Sequence, residues 1–158
     1  TLKRHGHSPV PSFEADAENR ISFYDRREEF PLIGISGARS RWFTRSQFKF
    51  VPSLVKLEEE CVVDIHPDDA LQQSVLDGDM IRVETPKGHV LMRARISDVV
   101  HAGSVRIAWG WGEYNPDYNL NNLTDDDHRN RVTGTPSNRT FMCRLAKISF
   151  DNTSHDNT

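Results

Sequence analysis

The 158-residue chain is 36% hydrophobic and sets 20 Lys and Arg against 23 Asp and Glu, a formal charge of −3. That size suits one domain with a core of its own, and the slight acidity excludes a general polyanion binder such as a nucleic-acid protein. No run approaches the ~18 apolar residues of a membrane span, two distant cysteines offer no Cys-x-x-Cys ligand pair, and the Walker, Gly-x-Gly-x-x-Gly and Gly-x-Ser-x-Gly spacings are missing.

Residues 1–29 read as an extended arm or linker, with Ser8-Pro9 and Val10-Pro11 followed by alternating charges without a period. Phe30 to Ser36 is expected as a buried strand opened by Pro31, and Cys61 to His66 as a second. Pro67 with Asp68 and Asp69 beside it starts a short helix running to about Val75. Asp77-Gly78-Asp79 turns the chain into Met80 to Glu84, which alternates as a strand with one face inside. Thr85-Pro86-Lys87-Gly88 is a tight turn, with Gly88 expected at positive φ, and His89 to Ile96 alternates again to complete a hairpin. Ala102-Gly103 turns into a strand from Ser104 to Trp109, and Thr140 to Phe150 forms the last one. Residues 151–158 are a polar tail, so the domain proper is expected over 30–150. Six or seven short strands with one or two brief helices indicate a mainly β, closed barrel. A connection of roughly thirty residues from Gly110 to about Asn138 is abnormal in a compact domain unless it has a task. A chain with polar ends that opens on Thr1 reads as a piece of a longer protein.

Two segments carry candidate chemistry. From Gly37 to Lys56 there are five cations and no acid, which leaves the rest of the chain at −8. The stretch Ser36-Gly37-Ala38-Arg39-Ser40-Arg41 directly follows a strand, and small residues there let backbone N–H groups approach an oxyanion. It reads either as a cradle for a small anion, with Trp42, Phe43 and Phe48 for stacking, or as a solvated basic turn whose aromatics belong to the core. The second segment is Tyr118 to Asp127. Its asparagines offer a donor and an acceptor together, as a pterin or guanine edge requires, while its aspartates lack the alternation and central glycine of a calcium loop. His66, ahead of Pro67, is read as a half-buried turn residue, and Cys61 and Cys143 as buried thiols. No acid–base pair or metal ligand set can be placed by spacing, so these residue types speak for gripping a ligand rather than making bonds.

Three blocks together resemble the C-terminal dinucleotide-binding domain of the molybdopterin oxidoreductases, the dimethyl sulfoxide reductase family. Ser36 to Arg41, followed by Ser46-Gln47-Phe48 and Pro52-Ser53-Leu54, is similar to that domain's opening. Val63 to Ala70 with Asp77-Gly78-Asp79 and Pro86-Lys87-Gly88 is similar to its centre, and Asn119-x-Asn121-x-Leu123-Thr124-Asp125 with Thr133-Gly134 and Arg139 to its third block. The wording is similar to the branch that holds thiosulfate and polysulfide reductases, formate dehydrogenase-like proteins and acetylene hydratase. Ala38 stands between Gly37 and Arg39 where the family often has Thr-Gly-Arg, and Phe43 or Arg45 stands where it often has a histidine.

The resemblance implies a six-stranded double-psi β-barrel and a site for part of a bis(molybdopterin guanine dinucleotide) cofactor that holds molybdenum or tungsten. It assigns cofactor contacts to Ser36, Gly37, Arg39, Ser46, Gln47, Asn119, Asn121 and Arg139. The metal and iron–sulfur ligands would lie in preceding domains of the parent chain, with electron-transfer subunits as further partners. Redox turnover would belong to that parent and not to this chain alone, in a cytoplasmic or periplasmic setting, with the cytoplasm favoured. The alternatives are a double-psi barrel that binds a protein partner or nucleotide, and a domain of a non-redox hydratase or transhydroxylase.

Overall fold

The computed structural model describes residues 2–8, 10, 26–38, 42, 43, 46–57, 60–113, 115–124, 129, 132–136 and 138–148. Most of the arm expected over 1–29, and all of the tail expected over 151–158, therefore lie outside the described residues. Six strands close into a barrel: β1 (Leu32–Ala38), β2 (Val62–Ile65), β3 (Met80–Glu84), β4 (His89–Ile96), β5 (Ser104–Ala108) and β6 (Thr140–Lys147), in the circular order β1-β5-β2-β4-β3-β6. Two pairings are parallel, β1 with β5 and β2 with β4, and the remaining four are antiparallel. These two parallel pairs, built by connections that cross, give the double-psi arrangement.

The alternation read from the sequence is what fills the barrel. Val63 and Ile65, Ile81 and Val83, Val90, Met92 and Ala94, Val105 and Ile107, and Phe141, Cys143 and Leu145 all point inward and are buried. Full burial of the Val, Ile, Leu, Met and Phe side chains among these contributes about 1.5–3 kcal/mol each. Phe141 lies across from Gly34, and its ring occupies the space that a side chain at 34 would take. Burial pushes the Cys143 thiol up to about 12, so it stays protonated inside the barrel.

Between Val63 and Ile65, Asp64 faces outward by the same alternation, yet it is only 2% exposed. Its register partners are Arg95 on β4 and Arg106 on β5. Both guanidinium groups donate to its carboxylate, Arg95 Nε at 2.5 Å and Arg106 Nε at 2.6 Å. One carboxylate thus ties three neighbouring strands at a single level.

The strand boundaries depart from the sequence reading at the ends. β1 starts at Leu32 because residues 26–30 form a turn, in which the Phe30 N–H donates to the Arg26 carbonyl at 2.8 Å. Phe30 is instead a buried plug under two cations, with the Arg26 and Arg144 guanidinium carbons 5.0 and 5.3 Å from its ring centroid. Helix α1 (Pro52–Val55) was not expected as an element; it opens on a proline, whose missing N–H costs nothing in a first turn. Helix α2 (Pro67–Gln72) starts as expected, with His66 Nδ1 accepting from the Asp68 N–H at 3.2 Å, but ends before Val75 because Ser74 turns left-handed at φ 54°. Asp79, held by the Leu76 N–H and then by Lys147, has its carboxyl pulled below the usual range.

Asp64→Asn keeps the volume but removes the charge that both arginines share. Because the arginine side chains are 50% and 37% exposed, water takes back part of the loss, and urea unfolding should show a destabilisation of about 1–3 kcal/mol. A change within about 0.5 kcal/mol would show that the three strands do not depend on this level.

Candidate functional site

Because β1 and β5 are parallel, both leave the barrel at one rim, and antiparallel β6 begins there. Three stretches of irregular backbone therefore meet: the residues around Ser46, the first part of the long connection after β5, and the last residues of that connection, 138–139. Between them lies a polar groove of about 600 Å³, lined by Ser36, Ser46, Trp109, Gly110, Gly112, Glu113, Asn119, Leu120, Asn121, Thr124, Asn138 and Arg139.

Ser36 extends the β1–β6 ladder, its N–H donating to the Arg139 carbonyl at 2.9 Å and its hydroxyl to the Asn138 carbonyl at 2.6 Å. The Ser46 hydroxyl donates to the Glu113 carboxylate at 2.8 Å. Both hydroxyl protons thus go to protein acceptors, and these serines offer a ligand lone pairs rather than hydrogens. Donors to an anion must come from elsewhere in the groove: the Arg139 guanidinium, the Asn119 and Asn121 amides, and backbone N–H groups. Glu113 adds an anionic acceptor that pairs with N–H edges and repels phosphate.

The asparagine segment is ordered by its own caps and by packing on the side that faces the barrel. It forms two 3-10 turns, Pro116–Tyr118 and Leu120–Leu123, capped by the Asn115 and Asn119 side chains, which accept from the Asp117 and Asn121 N–H groups at 3.0 and 3.2 Å. Leu123 is fully buried and Trp111 is 9% exposed, while Tyr118 and Leu120 pack on the core. The buried Thr85 hydroxyl donates to the Leu123 carbonyl at 2.9 Å, which fixes the segment to the β3–β4 hairpin. Two glycines allow close approach: a Cβ at Gly112 would lie 2.9 Å from the Asn119 Cβ, and one at Gly88 would lie 2.6 Å from the Asn122 carbonyl oxygen. The positive φ expected at Gly88 is not found. Glycine is needed there because another backbone carbonyl occupies the side-chain position, not because the turn is left-handed.

Of the eight residues assigned from the sequence, the groove brings together Ser36, Ser46, Asn119, Asn121 and Arg139. Gln47 is exposed and does not line it. Gly37 lies in β1 next to Ser36, and Arg39 lies outside the described residues. Trp109, Gly110, Glu113, Thr124 and Asn138 were not assigned as contacts, although Thr124 lies in the asparagine segment and all but Trp109 lie in the connection expected to have a task. The one signal for the first three was the Gly-x-Gly pair directly after a strand, where Gly110 adopts φ 86° and turns the chain toward the groove. Among the described residues, no group of three His, Cys, Asp or Glu side chains is placed to hold a metal, and no helix is long and apolar enough to cross a membrane.

A closed six-stranded barrel with a polar groove at the end of its parallel strands is a domain whose candidate site is built by its rim loops. The family model of the molydopterin dinucleotide binding domain matches residues 33–142, and the chain belongs to that family. It is 36% identical over 84 residues to a putative dimethyl sulfoxide reductase catalytic chain of Halobacterium salinarum, covering 53% of this chain and 10% of that one. It is 35% identical over 83 residues to a nitrate reductase of Klebsiella oxytoca, covering 52% of this chain and 10% of the other. Acetylene hydratase from Pelobacter acetylenicus has the same fold, with a TM-score of 0.81 and 21% identity over 93% of this chain and 22% of its own. The chain thus spans about a tenth of the length of the curated relatives it matches, in which its counterpart is one domain of a larger catalytic chain.

Gly88→Ala places a methyl group on the Asn122 carbonyl. The asparagine segment must then shift or the hairpin must open, at a cost of about 1–3 kcal/mol in thermal or urea unfolding. Gly78→Ala, where nothing lies within 4 Å and only the φ of 82° resists, serves as the comparison, with an effect of strain alone. Unchanged stability of Gly88→Ala would remove the docking of this segment from the account.

Proposed function

We propose that the rim groove holds part of a molybdopterin guanine dinucleotide for a parent oxidoreductase chain that depends on molybdenum or tungsten. The observation that carries this reading is the meeting of Ser36, Ser46, Asn119, Asn121 and Arg139, drawn from segments up to a hundred residues apart, around one polar groove. The donor set suits such a ligand. Amide groups present paired donors and acceptors to a heterocycle edge, an arginine presents forked donors to phosphate, and glycine backbone lets flat or charged groups approach closely. When bound, the cofactor supplies the metal centre at which electrons are exchanged.

This chain's own residues bind and orient. In this reading Asn119 and Asn121 face the heterocycle, Arg139 faces the phosphates, and Glu113 accepts from an N–H edge, which favours guanine over a base lacking adjacent donors. Ser36 and Ser46 position Arg139 and Glu113 through the bonds described above, while Gly37 and Arg39 join the site on the family resemblance. Residues 30–150 act as the cofactor-gripping barrel, with electron-transfer subunits bound by the parent.

Asn121→Leu and Arg139→Lys test the reading in two settings. Both residues are exposed, so the stability of this chain should move by less than about 0.5 kcal/mol. In the full catalytic chain, each change should lower cofactor occupancy roughly tenfold, read as metal content and as guanine nucleotide released by acid. Normal occupancy in both variants would make the groove an ordinary surface.

A further inference from the structure

β1 carries a pattern that the barrel itself does not use. Leu32-Ile33-Gly34-Ile35 is an unbroken apolar run, which is how a strand covered on both faces reads. Leu32 and Gly34 face the core, Leu32 being buried and Gly34 giving its side-chain space to the Phe141 ring. Ile33 and Ile35 therefore face outward, and they are 44% and 38% exposed. The other five strands turn charges outward instead: Asp64 on β2, Arg82 and Glu84 on β3, Arg95 on β4, Arg106 on β5 and Arg144 on β6, all joined in ion pairs. The register sets Ile33 between Met142 of β6 and Ser104 of β5, and Ile35 between Thr140 and Arg106. The result is an apolar strip on an otherwise charged wall, bordered by hydroxyls and one guanidinium.

We propose that the outer face of β1 seats an apolar segment of the parent catalytic chain from outside residues 1–158. The matched stretch covers only 10% of each of the curated relatives above, so a parent of that kind has most of its length outside this domain and tied to it covalently. Tethering holds such a segment at an effective concentration of about millimolar, which a small patch can use. A second copy of this chain has no such help, and two half-exposed side chains with their border fall far short of the ~800 Å² that each partner buries in a stable dimer. Barrel closure pairs β1 on both sides, so the occupant packs on side chains and does not add a strand. Isoleucine suits this task, because its branched side chain is stiff and loses little rotamer freedom when covered. At the border, Arg106 gives its Nε to Asp64 and has further N–H groups in its fork, which meet carbonyl or carboxylate oxygens of the occupant. The seat requires the domain's place in a longer chain and nothing of what the groove holds.

Maleimide labelling of Ile35→Cys tests the seat in two settings. Cys61 and Cys143 are buried, so in this chain alone position 35 should label rapidly and ahead of them. In the full catalytic chain, labelling at position 35, read by peptide mass, should be roughly tenfold slower or more and should recover in urea. Ile33→Cys should behave in the same way. With p-benzoylphenylalanine at position 33 of the full chain, light should then join that position to a peptide outside residues 1–158 of the same copy, with mixed heavy- and light-isotope chains telling one copy from another. If the bulky probe prevents folding, the labelling rates of the two cysteine variants decide. Equal labelling in the two settings, slow labelling in this chain alone, or crosslinks to residues 1–29 or to a second copy would each overturn the proposal.

Discussion

The parallel pairing of β1 with β5 is the constraint from which the site follows. Parallel neighbours cannot be joined by a tight turn, so the chain must travel through β2, α2, β3 and β4 before β5 can lie beside β1. Both strands then end at the same rim. β6 pairs antiparallel with β1 on its other side, so its first residues arrive at that rim too. Barrel closure satisfies the backbone of every strand on both sides and leaves no open edge. Irregular backbone, with its unpaired donors and acceptors, is thereby concentrated at the rims, and the polar groove lies at the end where three stretches of it converge.

A long polar connection is a poor binding surface unless something removes its freedom before the ligand arrives. Here the core does so. Trp111, Tyr118, Leu120 and Leu123 are sunk into or against it, the Thr85 hydroxyl bonds the segment's backbone, and Gly88 and Gly112 leave room for Asn122 and Asn119 that a larger residue would fill. The asparagines between these anchors are held in capped turns, so ordering them is a cost already met by folding. Preorganisation on the apolar side and hydrogen-bonding capacity on the polar side are two faces of one segment.

Much of the barrel was legible because half-buried strands write their faces into the sequence. Met80 to Glu84 and His89 to Ile96 alternate cleanly, and their boundaries agree with the structure. Short elements with caps but little periodicity were less legible: α1 has four residues, and the two 3-10 turns follow asparagine caps inside what reads as a loop. Gly88 shows a deeper limit. Its sequence neighbours suggest a left-handed turn, but its reason is a carbonyl 34 residues away, which no local pattern encodes. Glu113 was missed likewise, since its partner Ser46 becomes a neighbour only when the rim is assembled. The family resemblance reached further, because it carries long-range information that propensity does not.

Amide hydrogen exchange on the full catalytic chain, cofactor-loaded against cofactor-free, tests most directly whether the rim grips the dinucleotide. The account predicts protection on loading at residues 109–113, 119–124 and 138–139 and around Ser36, with the opposite rim at α2 and residues 97–103 unchanged. Protection confined to α2 and 97–103, or no difference along 109–124, would contradict it.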